Sequence, residues 1–203
     1  AQDFEVAQSF APGARYAIAA DFDRDGRPDL AALGPGDTMQ IRRGDGLGGF
    51  GPPQSHPTLG MNASSVVSGD FTGDGALDLV VTLHGRDPAL SAGAPEPGSL
   101  SILVGNGSGG FAPAVNFAVG SAYDSAVTAD FNRDNRLDLA TFGWELRVFL
   151  GDGAGGFASP TTLAGAVGFH RTLAVGDINR DGNPDLAVSW RIFFGDGSGG
   201  FSG

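Results

Sequence analysis

Two short phrases alternate four times along this chain, and their spacing leaves few folds open. The first is Asp21-Phe-Asp-Arg-Asp-Gly-Arg-Pro-Asp-Leu30, which returns as Asp70–Leu79, Asp130–Leu139 and Asp177–Leu186. The second is Gly44-Asp-Gly-Leu-Gly-Gly-Phe50, which returns as Gly105–Phe111, Gly151–Phe157 and Gly195–Phe201. From Phe to Phe the repeats measure 61, 46 and 44 residues. The longest carries an insertion, about His84 to Pro97, rich in Ala, Pro and Gly, which reads as an extended surface loop.

Short apolar runs fill the spaces between phrases. Ala17–Ala19, Val66–Val67, Ala126–Val127 and Leu173–Val175 precede the Asp phrases; Leu30–Leu33, Leu79–Leu83, Leu139–Phe142 and Leu186–Trp190 follow them. Ahead of the glycine phrases, Ile41, Ile102, Val148 and Ile192 alternate with Arg43, Val104, Leu150 and Phe194, a period of two that only Arg43 breaks. Such runs bounded by turns predict strands, and no segment offers a useful helical period. Periods of this length with about four strands each predict an all-β chain built as a β-propeller of four blades. The blades span roughly 4–50, 50–111, 111–157 and 157–203 of a single domain, 1–203.

Six residues beyond Phe50, Phe111 and Phe157 stand His56, Phe117 and Leu163, but the chain ends at Gly203, soon after Phe201. Phe4 and Phe10 share the offset, so strand 4–10 is expected to complete the last blade and close the ring. The alternative is half of an eight-bladed ring formed by a homodimer.

Composition narrows the chemistry. A net charge of -11 argues against nucleic-acid partners, whose phosphates need a basic footprint. There is no cysteine, hence no disulfide or thiol chemistry, and no apolar run long enough to insert in a membrane. Beginning at Ala1 without methionine, the chain reads as a processed mature form or an excised fragment.

Thirteen of the 23 acidic residues fall in the four Asp phrases. Oxygen-bearing side chains at positions 1, 3, 5 and 9, with a turn residue at position 6, suit a hard cation such as Ca2+. The first loop offers Asp21, Asp23, Asp25 and Asp29 with the Arg27 carbonyl. The second offers Asp70, Thr72, Asp74 and Asp78 with Ala76, Thr72 giving a neutral oxygen. The third offers Asp130, Asn132, Asp134 and Asp138 with Arg136, and the fourth Asp177, Asn179, Asp181 and Asp185 with Asn183. An EF-hand is excluded, because its last ligand is a Glu at position 12 between helices. The first loop should bind most tightly on charge. Up to four ions, near-equivalent and therefore structural, are expected, and sites of modest affinity fill where calcium is abundant, outside the cell.

The loops and glycine turns resemble the FG-GAP or VCBS repeats of integrin α-subunit propellers and of many secreted bacterial and fungal proteins. The resemblance covers essentially the whole chain. It implies a secreted, non-catalytic binding module, lectin-like and carbohydrate-binding, with protein adhesion or an accessory role beside a polysaccharide-active enzyme as alternatives. The glycine phrases also satisfy G-x-G-x-x-G, but they repeat four times and open no helix, so a nucleotide site is set aside. The residues that break the repeat are the ligand-binding candidates: Tyr16, His84, Tyr123, Trp144, His170 and Trp190. Exposed aromatic faces stack on sugars or on partner proteins; packing between blades is the alternative role for them.

Overall fold

The computed structural model describes residues 15–60, 62–85, 98–119, 123–164 and 172–203. They form sixteen strands in four antiparallel sheets of four, with no helix among the described residues. The first sheet holds β1 (Ala17–Ala20), β2 (Asp29–Gly34), β3 (Thr38–Arg42) and β4 (Gln54–Pro57). The second holds β5 (Ala63–Gly69), β6 (Asp78–Leu83), β7 (Ser99–Leu103) and β8 (Val115–Ala118). The third holds β9 (Tyr123–Ala129), β10 (Asp138–Gly143), β11 (Leu146–Phe149) and β12 (Thr161–Leu163). The fourth holds β13 (Leu173–Gly176), β14 (Asp185–Val188), β15 (Arg191–Gly195) and β16 (Phe201–Ser202).

Each sheet is a meander in sequence order. Its Asp phrase joins the first two strands and its glycine phrase joins the last two. The strand after each Phe stays in the sheet it follows, so every sheet straddles a Phe mark. Outer-strand residues His56, Phe117 and Leu163 pair with Met39, Leu100 and Leu146, which is the shared six-residue offset seen as register. The apolar run Leu186–Trp190 stops being strand at Val188, because Ser189 turns with a positive φ of 52°. Strand 4–10, with Phe4 and Phe10, lies outside the described residues, as do His170 and residues 86–97 of the insertion.

Three hydrophobic cores lie between successive sheets. Phe22, Leu33, Met39 and Ile41 of the first sheet pack with Val66, Leu79, Val81 and Leu103 of the second. Phe71, Val80 and Ile102 pack in the same way with Leu139 and Phe149, and Phe131, Phe142 and Val148 with Leu186 and Phe193. An equivalent edge-to-face ring pair recurs at each junction, Phe22–Phe111, Phe71–Phe157 and Phe131–Phe201 at 5.7, 5.8 and 5.5 Å, joined by His56–Phe111 at the first and Phe117–Phe157 at the second. The Phe at position 2 of one Asp phrase thus meets the Phe that ends the next sheet's glycine phrase. This is why both phrases must recur in step.

Candidate metal and ligand sites

Each Asp loop is folded by its own carboxylates. Asp21 accepts from the backbone N–H groups of Asp25 and Gly26, and Asp25 accepts from that of Arg27. Asp130 and Asp134, and Asp177 and Asp181, do the same in the third and fourth loops. The loop needs left-handed backbone twice, at positions 4 and 6. Arg24, Arg133 and Arg180 take φ values of 61°, 59° and 63° at position 4, where the second loop has Gly73. At position 6, Asn135 takes 63° where the other loops have Gly.

The Asp at position 9 has a second role that the phrase alone does not show. Asp29 Oδ2 accepts from Phe22 N–H and its Oδ1 from Gly44 N–H, both at 2.9 Å. Asp78, Asp138 and Asp185 likewise tie Phe71 to Gly105, Phe131 to Gly151 and Ile178 to Gly195. All four are buried, so each staples its Asp loop to its glycine phrase. The staple explains the first glycine of the second phrase. A Cβ on Gly44, Gly105, Gly151 or Gly195 would run into the carbonyl oxygen of Pro28, Leu77, Leu137 or Pro184. Burial pushes the Asp78 and Asp138 carboxyls above their ordinary range, against the pull of those backbone donors.

The loops differ in fitness for a cation. In the first, one oxygen from each of Asp21, Asp23 and Asp29 lies within 4.8 Å of the others. Burial, then the charges of Asp29 and Asp25, raise the Asp23 pKa, while Arg43 at 3.5 Å offsets this only in part. Clustered carboxylates short of positive charge are the donor set a divalent ion fits, and every oxygen engaged by an N–H keeps a second lone pair. In the second loop, Thr72 Oγ1 is buried without a hydrogen bond of normal geometry, although Asp78 feels it electrostatically. In the third and fourth loops the amides of Asn132 and Asn179 donate to Asp134 and Asp181, at 3.1 and 2.8 Å. Their Oδ1 atoms accept from the backbone N–H groups of Asp134 and Asp181, as Asp23 Oδ1 does from that of Asp25, so each Asn offers the loop one neutral oxygen in place of a carboxylate.

The ligand candidates among the described residues fall at the other end of the sheets. The Asp loops and glycine phrases share one end of each antiparallel meander, and the β2–β3, β6–β7, β10–β11 and β14–β15 connections share the opposite one. Trp144 and Trp190 sit at two of those tips, 70% and 75% exposed, and the Arg191 guanidinium lies 5.4 Å from the centre of the Trp190 ring. His84 follows β6 at the same end, half-buried, and its backbone N–H donates to the Asn62 carbonyl. Tyr16, exposed, enters β1 there, and Tyr123 opens β9 there, its side chain lying outside the described residues. The structure therefore brings the five described candidates to one end, on four different sheets, and separates them from the loops. The same end carries a contact that the motifs did not suggest. Asp37, in the β2–β3 tip, accepts from the backbone N–H groups of Asn62 and Ala63 at 2.8 and 2.9 Å and fixes the entry to the second sheet.

The sequence profile of FG-GAP-like repeats matches residues 11–81 and 142–188, more than half of the chain. The chain belongs to this family. Its third Asp loop lies between the matched segments, yet it keeps the position-9 staple and both left-handed residues. The four sheets of an FG-GAP-like repeat protein fit the blades of a β-propeller, and such repeat domains generally serve as non-catalytic binding modules. No curated protein matches the chain.

Proposed function

We propose that this chain is a secreted, calcium-stabilised β-propeller module that binds carbohydrate without catalysis, through the end of the sheets that carries Trp144 and Trp190. The observation that carries the reading is the division between the ends. The end with the Asp loops repeats one hydrogen-bond pattern four times, which is scaffold. The opposite end exposes two tryptophans that the repeat does not require. A flat, exposed indole with polar neighbours gives a sugar ring an apolar face to stack on and polar groups for its hydroxyls. Calcium would be held by Asp21, Asp23 and Asp29 first, adding positive charge where the carboxylates repel, and binding to the folded state alone would raise stability.

Binding of the full chain to a glycan array in calcium tests the ligand class. The expected result is binding to at least one sugar class, reduced about tenfold or more in W144A/W190A at unchanged melting temperature. A protein ligand captured through the same tryptophans in excess free sugar would instead support the adhesion reading.

A further inference from the structure

The glycine phrases share one hydrogen-bond pattern, and one sheet fills it with a different group. Asp45, Asp152 and Asp196 stand second in the phrases of the first, third and fourth sheets. In each, Oδ1 accepts from the backbone N–H groups two and four residues on. Those donors, joined at Asp196 by the Ser198 hydroxyl, hold all three carboxyls below their ordinary range. The second sheet has Asn106 at this place. Its Oδ1 accepts the same pair, from Ser108 N–H at 2.9 Å and Gly110 N–H at 3.0 Å. A turn that elsewhere holds a carboxylate here holds a neutral amide, with the same donors aimed at it.

Asn106 is also the one asparagine of seven that a glycine follows. Gly107, at a φ of 65°, has no Cβ to shield its backbone nitrogen. Oδ1 reaches the Ser108 N–H only with the side chain folded over the peptide between Asn106 and Gly107, which sets Cγ beside that nitrogen. The donors from Ser108 and Gly110 then face the oxygen on which charge develops when the nitrogen attacks Cγ, and they stand at oxyanion-hole distance. Positive charge is close as well. A Cβ on Gly107 would come within 2.9 Å of the Arg24 guanidinium carbon, so this first-sheet arginine lies against the same peptide while donating to the Asp74 carbonyl at 3.2 Å. Asn106 and Ser108 are exposed, which gives water access. The other loops lack this combination. The amides of Asn62, Asn132 and Asn179 donate to neighbouring oxygens and precede alanine or arginine.

We propose that Asn106 is a self-modifying site, at which the Gly107 nitrogen attacks Cγ and the side-chain amide is exchanged, with water, for a carboxylate. Solvent base takes the Gly107 N–H proton, the nitrogen lone pair forms a bond to Cγ, and the carbonyl π pair moves onto Oδ1 between its two donors. Collapse restores the carbonyl and breaks the Cγ–Nδ2 bond, and Nδ2 leaves as ammonia with a proton from water. Water then adds at Cγ of the five-membered imide, the Cγ–N bond breaks, the Gly107 N–H returns and a carboxylate remains. Nothing is oxidised or reduced: amide and water become carboxylate and ammonium. The same two donors polarise Cγ in the opening step, which favours aspartate over the isomer whose backbone runs through the side chain. The product repeats the chemistry of Asp45, Asp152 and Asp196, with Arg24 of the first sheet beside the new charge. The modification therefore strengthens the junction between the first two sheets.

The test is peptide mapping of the full chain after incubation in mildly alkaline buffer, folded and in urea, with fragmentation that tells aspartate from its isomer. The mass gain of an amide-to-acid change is expected at Asn106 and at no other asparagine of the folded chain. It should run roughly tenfold faster folded than in urea and give aspartate as the main product. Arg24→Gln should slow it about threefold in protein that circular dichroism shows to be folded. N106D, made directly, should melt about 2 °C above wild type at neutral pH and lose that advantage in acid. An Asn106 that keeps its amide, or that changes more slowly folded than in urea, would overturn the proposal. So would a main product linked through the side chain, or change spread over several asparagines. Where Arg24→Gln fails to fold, the ratio between folded and urea rates in wild type still decides.

Discussion

The two ends of these sheets obey different rules. At the end with the Asp loops, four copies agree down to single hydrogen bonds: a buried Asp at position 9 joins two phrases in every sheet, and positions 4 and 6 take left-handed backbone. At the opposite end the connections follow no phrase common to all four sheets. The first turns through Pro35–Asp37, the second opens into the insertion, and the third and fourth present Trp144 and Trp190. Repetition marks what every sheet needs to exist, and departure from it marks what only one sheet does.

The sharpest way to break this contrast is to cut a staple. Asp138→Ala leaves the buried N–H groups of Phe131 and Gly151 without acceptors, at a cost of roughly 2–4 kcal/mol. Thermal unfolding should show a midpoint lower by about 5–15 °C. Trp144→Ala at the other end should leave the midpoint where it is, and equal losses from the two would dissolve the distinction.

Calcium should act on the loop end alone. Saturating calcium against chelator is expected to raise the melting midpoint, by about 2.7 kcal/mol of stabilisation at a hundred times the dissociation constant. Asp23→Asn should shrink that gain, since Asp23 completes the three-carboxylate cluster. An unchanged midpoint in wild-type protein would remove the structural role of the ion.

A smaller effect comes from acid. Backbone N–H groups hold the Asp45, Asp152 and Asp196 carboxyls below their ordinary range. A folded-state pKa below the unfolded one gives stability that is present above the unfolded value of 3.8 and lost as pH falls through the folded value. Asn106 makes the corresponding two bonds with a neutral oxygen. The triple change D45N/D152N/D196N, which keeps the acceptor oxygen but not the charge, should therefore melt below wild type at neutral pH and lose less stability below pH 4, so that the two curves of midpoint against pH converge in acid. Smallest is His56→Phe. Its Nε2 is buried without a partner, and Phe117 holds the matching place in the second sheet. The substitution should add about 0.5–1 kcal/mol, read in the same melts.

Much of the fold was legible because the alternation of phrases repeats every turn and strand in order. The chemistry within the loops was less so. Position 9 reads as a metal ligand in isolation, and its partner N–H lies in the next phrase, 15 residues on for Asp29 and 27 for Asp78. The left-handed arginines at position 4 have one clue, Gly73, since an arginine does not advertise its φ. The exposure of Ile178 could not be read at all, because an Ile where the other loops have the buried Phe22, Phe71 and Phe131 looks conservative in sequence. The tryptophans were visible as departures from the repeat, but their shared end follows from strand direction alone.

The measurement that bears most directly on the division of labour is glycan binding by wild type, W144A/W190A and D23N, each folded and in calcium. The account predicts that the double tryptophan variant loses binding and D23N keeps it. Binding that survives in W144A/W190A but disappears in D23N would contradict it.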